Sequence, residues 1–142
     1  GWHEDIQTLL GAVDESTLFK WGLFDRPPMD AWSERRVTLL GDACHPTLPF
    51  MAQGAAMAIE DAVILANCLT GQVDVTEALF RYAQLRRSRT ARVQQGSRRN
   101  ARVFHLSGIQ AWFRDRAASR AGRHAMDGLY RYDPLTVGLG SQ

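Results

Sequence analysis

The chain has 142 residues, of which 45% are apolar, so it is of single-domain size and can bury a modest core. Nowhere do eighteen apolar residues run together, and the opening Gly1-Trp2-His3-Glu4-Asp5 is neither basic nor followed by an uninterrupted apolar core, which argues against transmembrane and secretory readings. The formal net charge is a small +2, yet residues 1–77 carry −8 and residues 78–142 carry +10, an asymmetry that invites nucleic acid, a membrane surface, or two halves that hold each other or a further domain.

In chain order, residues 3–13 are expected to be helical. Ile6, Leu9, Leu10 and Val13 recur at i, i+3, i+4 and i+7, although Gly11 weakens the helix by about 1 kcal/mol relative to alanine. Leu18 to Phe24 reads as a strand with Phe19, Trp21 and Leu23 on one face, ended by Asp25-Arg26-Pro27-Pro28. Such a row could line an aromatic-substrate pocket, but it is more often plain core. Met29 to Arg36 then connects onward, with Trp32 as its expected anchor.

Val37-Thr38-Leu39-Leu40 is a short, largely apolar run without strict alternation, the pattern of a strand buried on both faces. Gly41-Asp42 closes it, and Pro46 and Pro49 hold the following loop extended, because proline fixes its own φ and keeps the preceding residue out of the α region. An alanine-rich helix begins at Gly54. Its start presents unpaired N–H groups and partial positive charge, with no bulky side chain at Gly54, Ala55 or Ala56 to hold a ligand off. An anionic or carbonyl-bearing ligand fits there, and Asp42, at the carboxyl end of the strand, can accept hydrogen bonds from sugar-type hydroxyls. The competing reading is an ordinary strand-to-helix connection with a turn aspartate.

The helix from Gly54 to about Leu69 is apolar almost all round, which predicts burial, with Ala55, Ile59, Ala62, Ala66 and Leu69 on one stripe. Glu60 and Asp61 interrupt it; a solvated edge is taken over pairing with an arginine. Gly71 stops the helix, and Asp74-Val75-Thr76-Glu77 resembles a capping box that opens a long helix to about Leu106. Its apolar stripe is Leu79, Tyr82, Leu85, Val93, Gly96, Val103 and Phe104, and eight arginines fall within residues 81–102. They could meet phosphates, but no lysine, few aromatic residues and no groove-reading motif accompany them. A break near Gly108 leads into a helix over Ile109 to Ser119. Beyond Arg120 the pattern is less regular, Leu129, Tyr130 and Tyr132 are expected to pin the chain to the body, and Gly138 to Gln142 to fray.

Cys44 and Cys68 make no disulfide framework, and a reducing cytoplasm is the simplest setting. A Cys44–His45 nucleophile and base is set aside, because neighbours on an extended loop point apart and no third orienting group is visible. No metal site is expected, since no paired spacing on one helix face joins Asp42, His45, Glu60 and Asp61. His45 is expected to pack in the loop and fix its shape.

The string G-D-A-C-H-P-x-x-P-x-x-A-Q-G-A-x-x-A-x-E-D-A, residues 41–62, closely resembles the second flavin-binding motif of single-component FAD-dependent aromatic hydroxylases, the salicylate and 3-hydroxybenzoate hydroxylase group. The resemblance runs from Trp2 to Asp133 and is densest over positions 36–69. It implies that Asp42, next to Gly41, binds the ribityl chain of FAD, that Gly54, Ala55 and Ala56 offer N–H groups to the pyrimidine edge of the flavin, and that Pro49 lies beside the reactive flavin carbon. Gln53, the candidate catalytic position, would sit near the aromatic substrate, with Phe50 and Met51 shaping the pocket.

The chain has no initiator methionine and no G-x-G-x-x-G after an early strand, so it is expected to be the carboxyl-terminal part of such an enzyme, with the amino-terminal dinucleotide-binding part absent. The expected fold is α/β, a fragment of an FAD/NAD(P)-binding Rossmann-like monooxygenase fold that is mostly helical after the central strand. Residues 1–36 would end the substrate-binding sheet, 37–70 form the FAD-binding motif, and 71–142 the carboxyl-terminal helices. The implied function is hydroxylation of an aromatic substrate with FAD as cofactor, NAD(P)H as reductant and O2 as co-substrate. From the cysteines and the hydropathy and charge patterns, the expected setting is cytoplasmic, with no nucleic acid or membrane partner, and homodimerisation stays open. The alternative is a non-catalytic module whose arginine helix binds an acidic partner or nucleic acid.

Overall fold

The structure, a computed structural model, describes residues 2–70, 74–120 and 127–137. Helix α1, Glu4–Gly11, forms as its periodicity predicts. His3 is its N-cap and accepts the Asp5 N–H at 3.3 Å, while Glu4 and Asp5 put negative charge at the positive helix end. Its apolar residues Ile6, Leu9 and Leu10 nevertheless lie in solvent.

Leu18 to Phe24 does not form the expected strand. The segment is extended but unpaired among the described residues, and it exposes Phe19, Leu23, Phe24 and Trp21, the last at 81%. A strand needs a neighbour to take up its N–H and C=O groups, and no described segment does so here.

Strands β1, Ser33–Glu34, and β2, Val37–Thr38, pair antiparallel with Ser33 opposite Thr38 and Glu34 opposite Val37. Arg35 turns the hairpin at φ 53°. The central strand is therefore only two residues long, and it is not buried on both faces: Val37 is 69% exposed. An apolar run marks residues that tolerate burial, whereas burial itself requires a layer on each side.

Helix α2, Gly54–Leu69, has the bounds read from sequence, and α3, Val75–Phe104, starts where the capping signal lies, with Asp74 accepting the Thr76 N–H at 2.8 Å. The expected glycine stop at Gly71 lies outside the described residues; Thr70 caps α2, its hydroxyl donating to the Ala66 carbonyl at 2.7 Å. Helix α3 runs back along α2. The helix is not buried all round as expected: its buried face is Met57, Glu60, Asp61, Ile64 and Cys68, while the stripe of Ala55, Ile59, Ala62, Ala66 and Leu69 faces outward. A helix apolar all round carries no periodic signal to choose a face. The partners on α3 made that choice.

The core joins Trp32, Cys44, Ile64, Cys68, Ala78, Tyr82 and Ala83, with Met29, Leu39, Leu65, Leu85, Tyr132 and Val137 packed on it. Trp32 is the anchor expected of it, its ring 5.4 Å from His45 and 5.7 Å from Tyr82. Along α3, Leu79, Tyr82 and Val93 are buried as expected, Leu85, Gly96 and Val103 are half-buried, and Phe104 is exposed. Helix α4, Gly108–Ala118, follows, and its Arg114 donates to the carbonyls of Val103, Phe104 and Leu106, closing the carboxyl end of α3 where acceptors are left over and positive charge is favoured. Of the residues expected to pin the last segment, which contains the short helix α5, Asp127–Tyr130, the Tyr132 side chain and the Leu129 carbonyl do so through Arg86 and Arg89. Tyr130 is exposed.

Candidate functional site

The site is built on the loop between β2 and α2. Gly41 opens it at φ 61°, a conformation that costs a side-chain-bearing residue about 1–2 kcal/mol. It also sits against α2, where an added Cβ would lie 3.3 Å from the Ala58 Cβ. Its carbonyl accepts the N–H groups of Cys44 and His45, both at 3.0 Å, so residues 41–45 fold into a tight turn. That turn leaves Asp42 exposed at its outer edge.

Residues 46–50 are then fixed by their carbonyls. Gln94 of α3 donates to Pro46 at 3.0 Å and to Arg26 at 3.2 Å, Ser97 donates to Leu48, and Asn100 donates to Phe50 at 3.1 Å. Polar residues every third position of a helix thus meet alternate carbonyls of the loop, at Pro46, Leu48 and Phe50. Gly96 lies among them, and a Cβ there would meet the Met51 sulfur at 2.6 Å, so this glycine makes room for Met51. The loop next forms a 3-10 turn, Pro49–Met51, passes through Ala52 at φ 50°, and enters α2 at Gln53.

At that entry no side chain caps the helix and no acid stands in its first turn. The backbone bond from Met57 N–H to the Gln53 carbonyl, at 2.9 Å, is the first of the helix ladder, which leaves the N–H groups of Gly54, Ala55 and Ala56 ahead of it. Asp42 stands close by: its Oδ1 lies 3.9 Å from where a Cβ on Gly54 would be. The sequence-predicted residues therefore divide. Asp42 and Gly54 come together across twelve residues of chain, Pro49 and Ala55 are exposed on the same loop and helix start, and Gln53 is 6% exposed.

Beneath the loop lies a buried charge network. Asp61 is fully buried and accepts from the Gly41 N–H at 3.0 Å, His45 Nε2 at 2.6 Å and Arg86 Nε at 2.6 Å. Burial pushes its carboxyl up, but the hydrogen bonds from His45, Arg86 and Gly41 together outweigh that and hold it below the ordinary carboxylate range. Arg86, also fully buried, reaches Glu60 at 2.8 Å, the Met57 carbonyl at 3.2 Å and the Tyr132 hydroxyl at 2.8 Å. Arg89 bonds Glu60 at 3.0 Å and lies 4.5 Å over the Tyr132 ring.

Glu60 and Asp61 are thus not a solvated edge. Two adjacent acids in an apolar helix, with Arg86 and Arg89 three apart on the next helix, were the available signal, and pairing is the reading they support. Gln94, Ser97 and Asn100 carried no comparable signal, because polar residues on a long helix usually face water.

The third group found missing for a Cys44–His45 pair does exist: Asp61 orients His45, and Cys44, His45 and Asp61 lie within 4.8 Å of one another. The cluster is nonetheless unsuited to nucleophilic work. Burial, reinforced by the Asp61 charge, pushes the Cys44 thiol up to about 12, and its sulfur donates to the Gly41 carbonyl at 3.3 Å. A cation is equally disfavoured beside Arg86, whose guanidinium already neutralises Asp61. His45 fixes the loop, as expected of it.

The uncapped helix start leaves N–H donors, and the exposed Asp42 carboxylate beside it is an acceptor, on a loop pinned by Gln94, Ser97 and Asn100. The chain belongs to the FAD binding domain family, which matches residues 2–97. It is 41% identical over 143 residues to the 3-amino-4-hydroxybenzoate 2-monooxygenase PtnB3 of Streptomyces platensis, covering 97% of this chain and 35% of that one. To 3-hydroxybenzoate 6-hydroxylase 1 of Aquipseudomonas alcaligenes it is 50% identical over 97 residues, covering 68% of this chain and 25% of the relative. Among solved structures, Klebsiella pneumoniae HpxO complexed with FAD and uric acid aligns with a TM-score of 0.81 at 28% identity, over 98% of this chain and 36% of that one. A salicylate hydroxylase substrate complex aligns with a TM-score of 0.72 at 29% identity, over 92% and 32%. The fold is that of the FAD-binding flavoprotein monooxygenases, and the chain spans about a third or less of the length of these relatives. No described helix is long and apolar enough to cross a membrane.

Proposed function

We propose that this chain supplies the flavin-facing wall of an FAD-dependent monooxygenase that hydroxylates an aromatic ring of the salicylate or hydroxybenzoate type. The observation that carries the reading is the exposed Asp42 carboxylate 3.9 Å from the Gly54 Cβ position, at a helix start with no cap of its own. The residues fit the cofactor. Asp42 accepts hydrogen bonds from the ribityl hydroxyls, Gly41 shapes the turn that presents it, and the N–H groups of Gly54, Ala55 and Ala56 meet the acceptor edge of the ring system. Pro49 covers the reactive side of the flavin, and Gln53, largely buried on the same entry turn, sits near the aromatic substrate.

When bound, FAD supplies the redox chemistry, carrying electrons from NAD(P)H to O2 so that one oxygen atom reaches the ring. The chain's own residues bind, orient and exclude water. In this reading residues 1–36 belong to the substrate side, 37–70 to the cofactor motif and 71–142 to the carboxyl-terminal helices, of which α3 braces the loop from behind, with the dinucleotide-binding part contributed from elsewhere in the polypeptide.

The alternative of an arginine helix for an acidic partner is weakened by what those arginines already hold. Arg86 and Arg89 are buried on Glu60 and Asp61, Arg98 pairs with Asp25, and Arg87 with Asp30. The test is FAD titration of the complete natural polypeptide, followed by flavin fluorescence, beside Asp42→Ala. Loss of one charge-assisted set of hydrogen bonds should weaken binding by roughly 10- to 100-fold. Equal affinity of the two proteins would refute the assignment.

A further inference from the structure

Among the described residues, the side chain proposed to touch the cofactor makes no hydrogen bond or ion pair of its own. Asp42 is exposed in the single 3-10 turn Gly41–Ala43, directly after the peptide of Gly41. That peptide is gripped from inside. The Gly41 N–H points at Asp61 Oδ2, which also takes His45 Nε2, while Asp61 Oδ1 takes Arg86 Nε. Arg86 in turn is held by Glu60, the Met57 carbonyl and the Tyr132 hydroxyl. Three donors from two separate parts of the fold thus fill both oxygens of one buried carboxylate, leaving it one orientation.

We propose that Asp61 is a positioning residue for the cofactor loop, which fixes Asp42 through the Gly41 peptide and so sets the affinity for the flavin. The proposal rests on the reading of Asp42 given above. Asparagine is the discriminating replacement, since it keeps the volume but has only one oxygen. With that oxygen toward Arg86, its NH2 group faces the Gly41 N–H, and the loop loses its acceptor. With the oxygen toward Gly41, NH2 faces the guanidinium, and Arg86 loses the Asp61 carboxylate and keeps only that of Glu60. Either way the two-sided grip on Gly41 and Arg86 is broken while the surface that meets FAD keeps its composition.

The experiment is a double-mutant cycle in the complete natural polypeptide, with FAD dissociation constants and the visible spectrum of bound flavin measured for wild type, Asp42→Ala, Asp61→Asn and the double variant, and folding checked by far-UV circular dichroism. Asp61→Asn is expected to weaken FAD binding by about tenfold and to shift the flavin band, yet to change binding by less than about twofold once Asp42 is alanine, because the two act through one contact. A purely structural role would multiply the loss equally in both backgrounds, and that outcome overturns the proposal. So does wild-type affinity in Asp61→Asn. Should Asp42→Ala alone bind FAD like wild type, the flavin reading itself falls and takes this one with it. If Asp61→Asn fails to fold, Arg86→Lys, which keeps the charge but loses the Nε bond, decides by the same criterion.

Discussion

Replacing Arg86 by methionine tests whether the buried network stabilises the fold. The substitution keeps the bulk of the side chain but removes donors to Asp61 at 2.6 Å, Glu60 at 2.8 Å, Tyr132 at 2.8 Å and the Met57 carbonyl at 3.2 Å. Glu60 keeps Arg89 and Asp61 keeps Gly41 and His45, so the loss is less than the sum of four bonds. What dominates is a buried carboxylate left without its cation, which costs roughly 3–5 kcal/mol. Arg87→Met is the control. Arg87 is half-exposed and pairs with a fully exposed Asp30, an arrangement contributing no more than about 1 kcal/mol.

Urea unfolding of the complete polypeptide gives both numbers, read as a change in midpoint at constant slope. The pH dependence supplies a second check. Asp61 is held below its ordinary range in the folded protein, so its contribution is present above about pH 4 and is lost as pH falls through the lowered value. Without Arg86 that carboxyl rises, and the acid decline in stability should begin at higher pH. A loss no larger than that of Arg87→Met, with an unchanged acid limb, would refute the reasoning.

Gly41→Ala places a side chain at φ 61° and 3.3 Å from Ala58, and should cost about 1–2 kcal/mol or more by the same unfolding assay. Gln94→Ala strips a donor from the carbonyls of Pro46 and Arg26 and should lower stability by about 1–3 kcal/mol in the same unfolding assay; an unchanged midpoint would contradict it. Native Cys44 should resist alkylation at pH 8 and react once unfolded, because burial holds its thiol at about 12; rapid native labelling at Cys44 would contradict the packing. Above about pH 9, stability should fall, because the raised Cys44 and Tyr82 groups stay protonated in the folded chain while their unfolded counterparts ionise.

What was legible in the sequence was local. The approximate span of α2, opening at Gly54, the Asp74 start of α3 and the loop of residues 41–53 between strand and helix follow from composition, capping at Asp74 and the two prolines, which act over a few residues. What only the tertiary structure decided was partnership. Asp61 meets residues 16, 20 and 25 positions away, Gln94 meets the loop 48 positions away, and the face of α2 that is buried was chosen by those partners, not by its own apolar pattern. The aromatic row at Leu18–Phe24 shows the same limit, since strand propensity states what a segment tolerates while pairing depends on a neighbour. Capping and turn energies are fixed by adjacent residues. Burial and ion pairing are fixed by whichever surface the folded chain brings alongside.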